Sequence, residues 1–186
     1  MMLKNTFYIL VSALLLSSCQ EININKEVNY TLLLDSLVLH QNEVLEGIDT
    51  AKISKYLHKS TERLMLFELE DLSDFQKQWL HHEKLAYQKI VSNFSGFNFK
   101  LDSLTYELDF SKKQITALKD DLVHRHFSKE QFATYLLEEQ KALGRLNTLS
   151  ENLRSTFHQN SIQFDSLESK LAAIFTQLNA LQASHE

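Results

Sequence analysis

Eight histidines and 24 carboxylates are the residues of this 186-residue chain whose types could do chemistry, and their spacing is the first test. A di-metal centre in a helical bundle needs Glu-x-x-His steps, because side chains three or four apart share one side of a helix. The chain has no Glu-x-x-His, and Asp121-x-x-His124 is the nearest approach. The His-Glu-x-x-His pattern of a helical zinc site is also missing. His81 and His82 are adjacent, so on a helix they project about 100° apart and do not share one ion. His40 with Glu43, and His58 with Glu62, fall on shared faces at the spacing of surface ion pairs. There is no glycine-rich phosphate loop and no Gly-x-Ser-x-Gly elbow. These residues imply a non-catalytic chain with no metal and no cofactor, a metal-binding helical protein standing only as the third alternative.

The single cysteine, Cys19, has a different context. Lys4 is the only charge before it, a largely apolar run extends from Phe7 to Leu16, and Ser17-Ser18 are small residues. That is the layout of a cleaved secretory signal. The run is too short to cross a hydrocarbon core, which takes about 20 apolar residues. Leu16-Ser17-Ser18-Cys19 resembles the lipobox of bacterial lipoproteins. The resemblance implies removal of residues 1–18 and a diacylglyceryl thioether on Cys19, with a third chain amide-linked. Two or more acyl chains anchor stably where one anchors marginally. Gln20 stands where an aspartate would signal inner-membrane retention, so the outer membrane is the expected site.

A second motif recurs. Asp35-Ser36-Leu37, Asp102-Ser103-Leu104 and Asp165-Ser166-Leu167 repeat one tripeptide, and Asp49-Thr50-Ala51 has the same character. The triplet resembles the O-glycosylation acceptor of exported proteins in the Bacteroidota, which implies Ser36, Thr50, Ser103 and Ser166 as acceptors. The bland alternative is that these residues are helix caps and solvated helix faces.

The elements that must carry these residues follow from composition. Without residues 1–18 the chain holds 18 basic and 24 acidic residues, with no basic stripe, which argues against nucleic acid. Proline is absent and glycine occurs only at positions 47, 96 and 144. Few turn formers and abundant Leu, Glu, Lys, Gln and Ala predict an all-α fold. Residues 19–26 read as a lipidated tether and 27–186 as a single helical-bundle domain.

Along that domain, a first helix is expected from about Glu27, with Leu34, Leu37, Val44 or Leu45, and Ile48 facing inward. Gly47 interrupts it, and Asp49 or Thr50 can cap the next helix. The pattern from Thr50 to Phe94 allows breaks at Ser60-Thr61 or at residues 71–74. Gly96 suits a helix stop and Asn98 a cap for the helix carrying Leu101, Leu104, Leu108, Ile115, Leu118 and Leu122. That helix should end near His124-Arg125-His126. Ser128 and Gln131 form a capping box flanked by Phe127 and Phe132 as a hydrophobic staple, so a helix should start at Lys129. From Phe132 to Leu181, steps of four and three meet fifteen positions, twelve of them apolar, the exceptions being Glu139, Ser150 and Asn160. A repeat of 3.5 implies coiled-coil-like packing. Gly144 and Asn160-Ser161 are the places where a break is expected.

The expected architecture is an elongated antiparallel bundle of three to four long helices. A second copy of the chain is the alternative partner for the long seam, which would make a homo-oligomer. The favoured role is a lipid-anchored cell-envelope module that binds or scaffolds a protein partner. A periplasmic chaperone or apolar-ligand carrier is the alternative, and it requires an accessible apolar groove.

Overall fold

The computed structural model describes residues 24–68 and 74–183. The helices are α1 (Ile24–Glu46), α2 (Thr50–Leu66), α3 (Asp74–Trp79), α4 (His81–Phe94), α5 (Phe97–Val123) and α6 (Lys129–Ala183). Among the described residues there is no strand, and the fold is an all-α bundle built on three long helices. The signal segment, Cys19 and most of the tether lie outside the described residues.

Local signals place most boundaries. Asp49 caps α2, its carboxylate accepting the Lys52 N–H at 2.9 Å. Ser60-Thr61 does not interrupt α2, because Thr61 Oγ1 donates back to the Leu57 carbonyl and leaves the backbone ladder intact. The helix ends instead at Leu66, with Phe67 as its cap. Gly96 adopts φ +71°, the left-handed geometry that a side chain resists, and turns the chain from α4 into α5. Asn98 is not the cap of α5. The helix already begins at Phe97, and the Gly96 carbonyl accepts the first bond from Lys100 N–H.

At the end of α5, the Arg125 N–H bonds to Leu122 O and the His126 N–H to Asp121 O, the paired bonds of a Schellman stop. Arg125 occupies its left-handed position at φ 58°, where glycine is usual. The capping box forms as expected: Gln131 N–H donates to Ser128 Oγ and Ser128 N–H to Gln131 Oε1. Helix α6 then runs 55 residues without a break at Gly144 or Asn160. Gly144 is exposed and costs about 1 kcal/mol of propensity, too little to stop a packed helix.

The chain clusters into two compact units, with boundaries inside α1, α5 and α6. In the first, residues 24–39 and 109–144, the core includes Leu118, Leu122 and Phe132, with Val28, Phe127 and Leu136 packed against them. Thr31, Leu34 and Val38 are the buried positions of α1 here. Leu37 is not among them. It is 47% exposed, because the inward stripe runs through Val38 one residue further on.

In the second unit, residues 40–108 and 145–183, the core is aromatic. The Tyr56 and Phe164 rings stack at 4.2 Å, and Tyr87 meets Phe164 edge-on at 6.2 Å. Phe94 packs against Phe97 across the Gly96 corner at 5.8 Å. Tyr87 and Asn93 on α4 meet Glu168 and Asn160 on α6, so those two helices run antiparallel. Tyr56 and Arg63 on α2 meet Asp165 and Glu168, so α2 runs alongside α6 in the same direction. All thirteen described positions of the α6 seam, from Phe132 to Ile174, are buried or half-buried.

Candidate functional site

Two features of the second unit could bind something. The first is a polar ring at the edge of the aromatic core. Arg63 holds Glu168 with two bonds, Nε to Oε1 at 3.0 Å and Nη2 to Oε2 at 2.8 Å, and the Tyr87 hydroxyl donates to the same Oε1 at 2.8 Å. The Arg63 bond, ahead of that from Tyr87, holds the Glu168 carboxyl below its ordinary value. Burial, reinforced by Glu168, pushes the Tyr87 phenol up. Tyr56 donates to Asp165 at 2.9 Å, and burial is again the main reason its phenol is raised.

Glu83, almost fully buried in the first turn of α4, pairs with Lys170. Burial pushes its carboxyl up, but Lys170 and the backbone N–H of Glu83 outweigh that and leave it lowered. Lys52, Lys55 and Lys59 line a shallow cleft beside this ring, with Asp165 and Glu168 on its other wall. Each carboxylate of the ring has a donor on at least one oxygen, which fits a device that ties α2, α4 and α6 together, while Glu83 Oε2 is buried without a partner among the described residues.

The second feature is an open groove of about 400 Å³ between α5 and α6. Phe97, Leu104 and Leu153 form its floor and are buried, while Phe99 and Leu149 stand on its walls at 76% and 50% exposure. Lys100 and Glu107 lie on its rim. The volume is within the range of small-ligand pockets, and the lining offers apolar contact with few polar fixings. The groove's size and lining match an apolar side chain or an acyl tail. The sequence held one signal for it: Phe99 and Tyr106, seven residues apart, are out of phase with the Leu101–Leu104–Leu108 stripe. Tyr106 is accordingly 73% exposed.

The expected acceptor residues do not come together. Ser36 is exposed on α1 and donates to the Leu32 carbonyl at 3.0 Å. Thr50 is the exposed first residue of α2, Ser166 is exposed on α6, and Ser103 is half-buried in the groove wall. Asp165 has a packing task as the acceptor for Tyr56, and Asp49 is a cap. Cys19 lies outside the described residues. His58 and Glu62 pair at 3.2 Å on the surface. Among the described residues no three His, Cys, Asp or Glu side chains converge as metal ligands, and no helix is long and apolar enough to cross a membrane. No protein family, curated protein or solved structure matches the chain.

Proposed function

We propose that this chain is a lipid-anchored protein of the cell envelope, attached through Cys19, whose helical domain serves as a non-catalytic interaction module. The anchor rests on Leu16-Ser17-Ser18-Cys19 in its signal-like context, and Gln20 favours the outer membrane. The observation that carries the interaction role is the groove between α5 and α6, where Phe99 is three-quarters exposed beside buried Phe97 and Leu153. An exposed aromatic beside a filled apolar floor is the composition of a protein-binding hot spot.

Replacing Phe99 with a photo-crosslinking phenylalanine analogue in the native host, with Lys141 as control, tests this. A discrete protein adduct from position 99 and none from 141 is the expected result. Adducts to lipid alone would instead support the second reading, a carrier of apolar ligands, which the same groove favours. No adduct of either kind would refute both.

A further inference from the structure

Helix α1 carries two apolar faces, and only one is used. Its buried positions in the first unit are Thr31, Leu34 and Val38. On the other side Leu32, Leu33, Leu37 and Leu39 are 45%, 62%, 47% and 56% exposed. At about 100° per residue, these four leucines bound an outer arc that also holds Lys26, Asn29 and Ser36. Over residues 24–39 the arc contains no carboxylate, Glu27 and Asp35 sitting half-buried beside the inner face, and the first acid on it is exposed Glu43, about one turn beyond Leu39. Four outward leucines within eight residues are unusual in a chain with 24 acidic residues.

The covalent path says what lies next to this face. Cys19 and Ile24 are five residues apart, so the chain between them spans at most about 18 Å even when fully extended. Leu33 is nine residues further, about 14 Å along the helix. An acylated Cys19 therefore holds Leu33 within about 30 Å of the bilayer surface and Leu39, six residues on, within about 40 Å. We infer that the outer face of α1, through Leu32, Leu33, Leu37 and Leu39, lies against the lipid headgroup–acyl boundary beside the anchor. This rests on the lipid-anchor reading above. An interfacial helix sinks its apolar face about 5–10 Å into that boundary, and the part of the arc nearest the anchor, over residues 24–39, presents no carboxylate to anionic headgroups. The contact would orient the domain on the membrane as well as tether it.

Spin labels on Leu33→Cys and Leu37→Cys test the inference, with Lys141→Cys as the water-facing control. The protein is purified with its acyl chains and reconstituted into phosphatidylethanolamine–phosphatidylglycerol vesicles. Cys19 is blocked by its own thioether, and all three positions are surface sites whose folding circular dichroism verifies. The expected result is stronger relaxation by oxygen than by a water-soluble nickel complex at 33 and 37, and the reverse at 141. Aqueous behaviour at 33 and 37, on protein whose intact mass shows the acyl chains, overturns the docking and leaves the anchor standing. Label–label broadening at 33 without oxygen access overturns it in favour of a second copy. An unmodified Cys19 by intact mass overturns the anchor and the docking together.

Discussion

Glu139 and Glu168 belong to the same helix, in different units, and their surroundings push them in opposite directions. Glu139 occupies a seam position of α6 and is 9% exposed, and its Oε2 has no hydrogen-bond partner among the described residues. Burial, with a smaller contribution from neighbouring Glu138, raises its carboxyl. Glu168 lies at the flank of the seam, where Arg63 and Tyr87 reach it from two other helices and lower it. A buried charge is tolerated when donors surround it and is a liability when apolar neighbours do. The comparison shows that the 3.5-residue repeat decides where a side chain is buried. Whether that burial stabilises is decided by residues far away in the chain.

Two substitutions probe this contrast and a third tests a turn, and the first should have the largest effect. Arg63→Met leaves Glu168 with only the Tyr87 hydroxyl and should destabilise the protein by about 2 kcal/mol at pH 7 in urea unfolding, a figure reduced for partial exposure of the pair. Because Glu168 is lowered in the folded state, its contribution is present above the unfolded value near 4.5 and is lost as pH falls through the folded value. The Arg63→Met penalty should therefore shrink on acidification below about pH 4.5. An equal penalty at pH 3.5 and pH 7 would contradict the assignment.

Glu139→Leu should act with the opposite sign, stabilising by about 1 kcal/mol at pH 7. Its folded-state value is raised, so its native form is least penalised below the unfolded value, and the penalty grows as pH rises through the folded value. The gain from Glu139→Leu should accordingly be larger at pH 7 than at pH 4. A loss of stability at pH 7 would mean that the carboxylate has a partner in solution.

The smallest effect is expected at the turn between α5 and α6. Arg125→Gly removes the Cβ clash of a left-handed residue and should stabilise the protein by roughly 0.5 kcal/mol, read as a raised thermal midpoint. If the midpoint falls, the arginine side chain has a stabilising contact that outweighs its backbone strain.

What the sequence made legible was local or periodic. Asp49, Gly96 and the Ser128–Gln131 box act over three or four residues, so their geometry is written where they stand. The α6 seam was readable because fifteen positions repeat one period. The Leu37 expectation failed by one residue on α1, where Leu32 to Leu39 is so leucine-rich that several stripes fit the same letters. The polar ring was unreadable for a different reason. Tyr56 and Asp165 are separated by 109 positions and Arg63 and Glu168 by 105, and each alone resembles an ordinary solvated residue. The groove was half-legible: the phase of Phe99 marked it as outward, but its buried floor comes from Phe97 and from residues of α6.

The asparagine in the α6 seam has a consequence for how the helices find each other. Asn160 accepts a bond from Asn93 at 2.9 Å and donates to its own helix at the Thr156 carbonyl. Its seam neighbours, Phe157 and Phe164, are apolar and make no directional bond, so a slip of α4 by one turn against α6 is resisted chiefly by this amide pair and by the Tyr87–Glu168 bond. Such a slip moves the two amides about 5.4 Å apart along the axis and leaves the buried Asn160 carbonyl oxygen unpaired, at about 1–3 kcal/mol. The Asn93–Asn160 pair thus works as a proofreading step in assembly, adding little to the correct alignment and penalising its closest competitors.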